Sequence, residues 1–406
     1  MQSNQRLVIV RWKDQILSAL FSERELLELH CDKIEEESIL GNIYIGKVQN
    51  IVKNINAAFV EISDKKVCYL PLTEDLNLLR REKNTNHKLL QGEELLVQIS
   101  KEDVKTKAPV ATTKLSIPGK YLVLVYGKPI SCVSSKIEDP KRRQELKNSI
   151  EPYVTEEYGF IVRTNAKNAE ENYLIQEAKV LVNRYLQLKK DGKYQNRFSK
   201  IFQMLPAYLC TIRDRDTESL SEIITDDPIL YQQIKEYLTC YQPEDLQKLR
   251  MPEDSSISLD RVYRISLQLN EALQKRVWLK SGGYLVIEPT EALTVIDVNT
   301  GKAVTKKKNV QETFFQINVE AAKEIAKQIR LRNISGIIII DFINMQEEKA
   351  REDLLYTLKE FVKQDPVKTT VIDMTALSLV ELTRKKERRP LYEQVERTTV
   401  NSIKKD

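Results

Sequence analysis

A run of four isoleucines that ends in an aspartate, residues 337–341, constrains the fold of this chain more than any other feature. An uninterrupted β-branched run of this length predicts a strand that is buried on both faces of a sheet. Val295-Ile296-Asp297 repeats the pattern earlier in the chain, and residues 318–333 between the two runs have the apolar spacing of an amphipathic helix. Strand, helix and strand in this order predict a layered α/β domain whose two aspartates lie at one sheet edge.

Two carboxylates at one sheet edge have two interpretations. As bare anions, Asp297 and Asp341 would repel each other and raise each other's pKa values, and a divalent cation would remove that repulsion. Alternatively, each aspartate caps a turn or pairs with an arginine. Asn299 points to the same side of an extended chain as Asp297. Its amide either orients water or phosphate, or it is a turn residue before Gly301.

Composition narrows the chemistry. A chain of 406 residues is long enough for roughly two to four packed units. Its two isolated histidines and its five cysteines without a CxxC pair argue against a histidine triad, a zinc knuckle and a disulfide framework. A catalytic metal would therefore be held by carboxylates, which favours Mg²⁺ or Mn²⁺. No apolar run approaches the roughly 18–20 residues of a membrane span, and the start lacks a signal core, so we expect a cytoplasmic protein.

The charge balance does not by itself indicate a nucleic-acid-binding protein. The net charge is only +5, from 64 basic and 59 acidic residues. Basic clusters at 114–120, 302–308 and 384–389 are either solvated surfaces or contacts for RNA.

The first 120 residues are typical of small β-sheets. Apolar runs between residues 7 and 32 predict strands, and further short runs within residues 43–118 fit a closed five-stranded barrel of the OB type. Phe59 and Tyr69 lie on adjacent runs, where they would either stack bases or fill the core. Lys101 and Lys107 add positive charge near the same strands.

Arg163 and Thr164 end another predicted strand, just before a helix predicted over 171–190. A guanidinium, a hydroxyl and backbone amides together suit a terminal phosphate, and a structural role is the alternative. Farther on, the patterns predict a helix over 226–241, a hairpin at Ser281–Gly283, a helix over 351–365 and a final strand region over 369–382.

Several long strings are specific to one family. They are SGGYLVIEPTEALTVIDVNTG (281–301), NVEAAKEIAKQIRLRNISGIIIIDFINM (318–345), VELTRKK (380–386) and GFIVRTNA (159–166), with GNIYIGKV, AAFVEI and YLPL in the barrel. Through these strings the chain resembles the ribonuclease E/G family over most of its length.

The resemblance implies an activity and a set of site residues. It implies an endoribonuclease of RNA decay or ribosomal RNA processing that cleaves single-stranded RNA and leaves a 5′-phosphate and a 3′-hydroxyl. Magnesium, with manganese possible, would be held by Asp297 and Asp341 beside Asn299. The family's other site residues map onto RNA-binding Phe59, Tyr69, Lys101 and Lys107 and onto a 5′-phosphate sensor of Gly119, Val123, Arg163 and Thr164.

The resemblance also implies a division into subdomains. We expect an RNase H-like subdomain in two parts, an inserted OB-fold RNA-binding barrel and 5′-sensor segment, and a DNase I-like α/β catalytic subdomain. The boundaries are 1–36 and 210–272 for the RNase H-like parts, 37–118 for the barrel, 119–209 for the sensor, 273–396 for the catalytic subdomain and 397–406 for a tail.

The chain departs from the family pattern at several positions. It has Asn344 for the second acid of DFIDM, Ala376 and Ser378 for an arginine and a glycine, KAPVATT in the lysine loop, and Asn168 for a sensor-loop glycine. No CPxC string follows the catalytic subdomain, so we expect no zinc link, although a homo-oligomer of another kind is compatible. A non-catalytic RNA-binding or scaffold protein with the same fold is the alternative interpretation.

Overall fold

The structure is a computed structural model, and it describes residues 4–34, 38–72, 78–79, 89–102, 108–253, 258–302, 310–386 and 388–395. The chain divides into two compact units. Unit one comprises residues 1–35, 218–236 and 247–406, and unit two comprises residues 36–217 and 237–246. Lys107 and the tail predicted over 397–406 lie outside the described residues.

Strands form where apolar residues alternate or run continuously. In chain order they are β1 Gln5–Trp12, β2 Gln15–Ser22, β3 Glu25–Lys33, β4 Ile43–Val52, β5 Ala57–Ser63, β6 Lys66–Pro71, β7 Glu94–Lys101, β8 Val110–Thr112, β9 Ser116–Pro118, β10 Leu122–Tyr126, β11 Ser131–Val133, β12 Tyr158–Val162, β13 Lys200–Phe202, β14 Leu220–Ile224, β15 Leu249–Arg250, β16 Arg276–Trp278, β17 Tyr284–Pro289, β18 Leu293–Asn299, β19 Gly336–Asp341, β20 Thr369–Met374 and β21 Leu379–Arg384.

Helices form where apolar residues recur at three- and four-residue spacing. They are α1 Pro140–Ile150, α2 Glu171–Tyr194, α3 Ala207–Arg213, α4 Pro228–Tyr241, α5 Leu259–Tyr263, α6 Ile265–Ala272, α7 Val310–Leu331 and α8 Glu348–Val362. None of the helices in the described ranges combines the length and the apolar composition of a membrane-crossing segment.

Unit one contains two sheets. The first has the order β15-β14-β1-β2-β3, in which β1 is antiparallel to β2 and parallel to β14. The second has the order β16-β17-β18-β19-β21-β20. Its parallel pair, β18 and β19, is joined by α7, and its other pairs are antiparallel. The predicted strand–helix–strand arrangement around the two aspartates is therefore present.

The isoleucine run is buried on one face of the sheet and not on both. Ile338 and Ile340 are fully buried in a core with residues of α7 and α8, whereas Ile337 is 49% exposed and Ile339 is half-buried. The prediction of a strand buried on both faces is wrong, because both helices pack on the same side of the sheet. One face of this sheet therefore carries no helix from its own core.

Two element predictions in this region need adjustment. Helix α7 begins at Val310, ahead of the predicted start at 318, and the final strand region is a hairpin of β20 and β21. The hairpin makes the sheet mixed, because β21 runs antiparallel to β19.

Unit two contains a closed barrel. Strands β4, β5, β6, β8 and β7 follow one another, and β7 pairs back with β4, so five strands close on themselves as the OB-type prediction requires. Its interior is apolar and includes Val48, Val60, Cys68 and Val97. A separate sheet of unit two, ordered β11-β12-β10-β9, packs with α1 and α2 around a second core.

Candidate active site and nucleic-acid interface

The two predicted acidic residues meet in the structure. Asp297 of β18 and Asp341 of β19 are register partners in the parallel pair, at the C-terminal ends of their strands. Ile296, Val298 and Ile340 next to them are buried under α7, so the alternation of the strands places both carboxylates on the face opposite α7 and α8. Asp297 is half-buried and Asp341 is exposed.

Asp341 lies close enough to Asp297 for the two charges to interact. Burial and the neighbouring charge of Asp297 raise the pKa of Asp341. Within the described ranges, neither carboxylate forms an ion pair with a lysine or arginine. The arginine-pairing interpretation of the two aspartates is therefore not what the described residues adopt.

Asn299 belongs to the same group of side chains. Its Nδ2 donates a hydrogen bond of 2.6 Å to Oδ2 of Asp297, which holds that carboxylate and leaves the amide's acceptor oxygen as the atom that suits a cation. No group of three or more His, Cys, Asp or Glu residues suited to a metal occurs in the described part of the chain. Two carboxylates are nevertheless a fitting donor set for Mg²⁺, which keeps several of its waters and binds through one or two carboxylates and substrate phosphate oxygens.

The segment after Asp341 is held by a buried asparagine that sequence reasoning did not single out. Asn318 of α7 is fully buried; its Nδ2 donates to the carbonyl of Ile343 at 2.7 Å and its Oδ1 accepts from the N–H of Ile343 at 3.0 Å. Phe342 and Met345 anchor the same segment in the core. Asn318 stands in the NVEAA string, so its position was visible in the sequence, but its role was not.

The turn between β20 and β21 lies beside Asp341, because Leu379 is the register partner of that aspartate. Ser378 in this turn has φ of +63°, a left-handed conformation that suits the glycine usual in the family. Ala376, at the family's arginine position, is in the same turn. The departures at these two positions therefore fall at the border of the acidic pair.

The atoms around Gly301, two residues after Asn299, leave no room for a side chain at this position. Gly301 has φ of +52°, and a Cβ at this position would lie 2.3 Å from the carbonyl oxygen of Gly282. The segment after β18 can therefore approach the turn between β16 and β17 this closely only if residue 301 is a glycine. This contact borders the acidic pair on the side opposite the β20–β21 turn.

The two barrel aromatics lie on the outer surface and not in the core. Phe59 of β5 and Tyr69 of β6 are register partners, with ring centroids 6.1 Å apart and an interplanar angle of 74°. Both are half-buried, whereas their strand neighbours Ala58, Val60 and Leu70 are buried in the barrel. The core-packing interpretation of the two rings is therefore excluded by their position.

Lys101 lies at the end of β7 and is exposed. Val110 of β8 is the register partner of Lys101 on one side and of Tyr69 on the other, so the lysine is two strands from the aromatic pair. This places one positive charge two strands from the half-buried rings, on the same face of the sheet.

Two of the predicted basic clusters contain cations that serve the fold. Lys120 is 2% exposed, and its Nζ lies 2.6 Å from Oδ2 of Asp245 and 3.1 Å from Oε1 of Glu244. Arg384 is 5% exposed and pairs with Asp365 at 2.7 Å. Neither cation is available to a ligand as a surface charge, and residues 303–308 of the third cluster lie outside the described residues.

The structure brings Arg163 and Gly119 of the predicted sensor into contact. Nη1 of Arg163 donates to the carbonyl of Gly119 at 2.6 Å and to Oδ1 of Asp214 at 2.8 Å. Burial opposes ionisation of Asp214, but Arg163 and Arg213 outweigh it and lower the pKa of Asp214 to about 2. A phosphate at Arg163 would compete with this carboxylate, which sequence reasoning missed because it lies in a different part of the chain.

The remaining sensor residues line the same region. The hydroxyl oxygens of Thr164 and Ser134 are 2.9 Å apart, and Val123 of β10 is the register partner of Pro118, next to Gly119. Ser134 is a further hydroxyl that the sequence did not single out.

Glu177 of α2 binds the backbone at the start of β10, next to these residues. Its carboxylate accepts from the backbone N–H groups of Lys120, Tyr121 and Leu122 at 2.6, 2.8 and 2.7 Å, an arrangement that we call the Glu177 bracket. Burial raises the pKa of Glu177 in spite of these three hydrogen bonds. The bracket fixes the backbone that leads from Gly119 to Val123.

Comparison with known proteins identifies the family of this chain. The model of the Ribonuclease E/G family matches residues 116–387. The chain is 36% identical to ribonuclease G of Haemophilus influenzae, over 92% of this chain and 78% of that protein, and 35% identical to ribonuclease G of Escherichia coli K12, over 89% and 76%. It is 33% identical to ribonuclease E of Synechocystis, over 95% of this chain and 57% of that protein. On the length and identity of these matches, the chain belongs to the ribonuclease E/G family.

Proposed function

We propose that this protein is a metal-dependent endoribonuclease that cleaves single-stranded RNA and leaves 5′-phosphate and 3′-hydroxyl ends, in RNA decay or ribosomal RNA processing. The observation that carries the proposal is the register pairing of Asp297 with Asp341 on the sheet face opposite α7 and α8, in a chain related to proteins named ribonuclease G and ribonuclease E. Mg²⁺ or Mn²⁺ is the proposed cofactor.

The roles of the site residues follow from their chemistry. Asp297 and Asp341 would hold the cation, which when bound supplies Lewis-acid activation and neutralises phosphate charge. Asn299 keeps the carboxylate of Asp297 in one orientation through its 2.6 Å hydrogen bond. Asn318 keeps the backbone after Asp341 in place, which limits the freedom of the second carboxylate.

The barrel and the sensor region would supply substrate binding. Phe59 and Tyr69 present half-buried rings on which single-stranded bases can stack, and Lys101, with Lys107, would hold the RNA backbone. Arg163 and Thr164, with Gly119 and Val123, would bind a 5′-monophosphate, for which the phosphate must displace Asp214 from Arg163. We further assign unit one to the family's RNase H-like and DNase I-like subdomains.

The test is cleavage of a 5′-monophosphorylated, A/U-rich single-stranded RNA with and without Mg²⁺. Asp297→Asn and Asp341→Asn should each abolish cleavage, because each removes one of the two proposed metal ligands, while RNA binding stays largely intact. Glu288→Gln is the matched control, because Glu288 is an exposed acid on β17 of the same sheet and its loss should leave the rate unchanged.

Cleavage by Asp341→Asn within tenfold of the parent would refute the two-carboxylate site. Binding of RNA by the parent protein without any cleavage would instead favour a non-catalytic RNA-binding or scaffold protein. Two features keep this second function in view: Ala376, which replaces the family's arginine in the turn beside Asp341, and Asn344, which replaces the second acid of DFIDM.

A further inference from the structure

We propose that Trp278, Tyr284 and Arg276 form a base-stacking platform beside the acidic pair, and that this platform holds a nucleotide next to the scissile phosphate of a single-stranded RNA. The inference rests on the proposed function for the identity of the substrate. It adds a second aromatic binding site, distinct from the barrel rings, on the sheet that carries the aspartates.

The register of the sheet places the platform on the same face as the acids. Tyr284 of β17 is the partner of Asn299, and Val286 is the partner of Asp297. One strand farther out, Trp278 pairs with Tyr284 and Arg276 pairs with Val286. Residues directly opposite each other in antiparallel strands share a face, so the platform faces the same side as Asp297, at a distance of two strand spacings, or about 10 Å.

The three side chains form one compact cluster. The ring centroids of Trp278 and Tyr284 are 5.3 Å apart at an interplanar angle of 60°. The guanidinium carbon of Arg276 lies 4.4 Å from the centroid of Tyr284 and 5.7 Å from that of Trp278. These contacts hold the rings and the cation in one arrangement before any ligand arrives.

The cluster is not needed to fill the core. Trp278 is 63% exposed, whereas Leu285 and Val298 on the other face of the same strands are buried against α7. Arg276 contacts the two rings, and no ion pair joins it to a carboxylate within the described ranges, in contrast to its neighbour Lys275, which pairs with Glu288 at 3.0 Å. An exposed indole and a guanidinium without an acidic partner are both available to a ligand.

The chemistry of this cluster selects single-stranded nucleic acid. Aromatic rings stack on the face of any base, and a guanidinium both stacks and binds phosphate. Asp297 and Asp341 repel the phosphate backbone wherever their charge is not neutralised, so a fixed cation nearby favours the approach of RNA to this edge of the sheet. The platform thus offers a base contact and a charge contact together, where the proposed reaction needs the strand to be held.

The fluorescence of Trp278 can show whether RNA occupies the platform. The chain has two tryptophans, so the Trp12→Phe variant leaves Trp278 as the sole indole emitter. This variant should be titrated with an intact A/U-rich RNA decamer in EDTA, with gel analysis to verify that the RNA stays uncut. We expect quenching of Trp278 emission on saturation with RNA. Inorganic polyphosphate, which carries charge without bases, should not reproduce the quenching.

Affinity measurements with labelled RNA provide the second arm. Trp278→Ala should weaken binding of the decamer by roughly 5- to 100-fold, as for loss of one base stack. Trp278→Phe, which keeps a ring, should stay within about threefold of the parent by the same reasoning. The thermal midpoint of each variant should match the parent, because the indole is mostly exposed.

Three results would overturn the proposal. They are unchanged RNA affinity in Trp278→Ala, Trp278 emission that does not respond to saturating RNA, and quenching by polyphosphate equal to that by RNA. A fall in oligomeric size on Trp278→Ala without an effect on RNA binding would assign the cluster to contact with a second copy and would also overturn it. Failure of the proposed function is a separate outcome, since absence of cleavage with Mg²⁺ does not alter the quenching or the affinities.

Discussion

Gly119 is the residue at which one added methyl group tests the architecture of the sensor region. A Cβ at this position would lie 2.5 Å from both Cδ and Oε1 of Glu177 and 2.9 Å from Oε2. The carboxylate cannot simply move aside, because it accepts the three backbone N–H groups of the Glu177 bracket. Gly119→Ala must therefore either break part of the bracket or displace the strand start that the bracket holds.

The size of the effect follows from these contacts. Overpacking of a filled site costs about 1–3 kcal/mol, and a lost hydrogen bond to a charged group costs about 1.5–3 kcal/mol. With one bracket hydrogen bond lost, we expect the free energy of unfolding to fall by about 3–5 kcal/mol. Because Nη1 of Arg163 donates to the carbonyl of Gly119, the proposed preference for 5′-monophosphorylated RNA should decrease as well.

The assay is urea unfolding monitored by circular dichroism, arranged as a double-mutant cycle with Glu177→Ala. Once the carboxylate is absent, Gly119→Ala should cost less than about 0.5 kcal/mol more, since the two substitutions act on one contact. Gly92→Ala is the control, because a Cβ there meets no atom within 4 Å and φ is +84°. Its cost, from backbone strain alone, should be the same in both backgrounds.

Two outcomes would refute this reasoning. The first is a Gly119→Ala protein that is as stable as the parent. The second is additivity of Gly119→Ala and Glu177→Ala, which would mean that the glycine is required for some reason other than the carboxylate.

Three further predictions concern the barrel, the β20–β21 turn and the Asp214 pair. Phe59→Ala should weaken single-strand binding by about 1–3 kcal/mol if the ring stacks on a base, measured by titration of labelled RNA with Phe59→Leu as the apolar control; an unchanged affinity would contradict stacking. Ser378→Gly should raise the free energy of unfolding by about 0.5–1 kcal/mol, since φ of +63° strains serine but not glycine, and a lower thermal midpoint would contradict this. Asp214 has a folded pKa near 2, below its usual 3.8, so its stabilisation is present above pH 4 and is lost as the pH falls towards 2. The carboxyl is one-third exposed, so the parent should exceed Asp214→Asn by only about 1–2 kcal/mol at pH 7, with a gap in unfolding free energy that closes in acid; a constant gap would contradict the assignment.

The strands and the acidic pair could be predicted because local patterns carry them. Alternating apolar residues predict the strands of the barrel but leave open whether Phe59 and Tyr69 stack bases or fill the core, and the two runs that end in aspartate predict neighbouring strands joined by a helix. The family strings added roles for the same residues. The roles of these residues in catalysis, RNA binding and 5′-end sensing remain proposals.

The partners of those residues could not be predicted, because they come from distant parts of the chain. Asp214 is 51 positions from Arg163, and Asp245 is 125 positions from Lys120. A basic cluster in the sequence gives no sign that its last lysine is buried against two acids. The same holds for Glu177. Its place on the polar side of a predicted helix gave no sign that its carboxylate accepts three backbone hydrogen bonds at the start of β10.

The sequence by itself determined the elements, the closed barrel and the position of the two aspartates at strand ends, because these depend on the spacing of apolar side chains along a few neighbouring residues. Only the tertiary structure decided which sheet face is covered. Both α7 and α8 pack on one side of the sheet that carries the acidic pair, so the isoleucine run is half-exposed, and the acids share the opposite face with Trp278, Tyr284 and Arg276. The alternation of side chains along a strand determines which of them share a face. The packing of helices from elsewhere in the chain decides which of the two faces meets solvent.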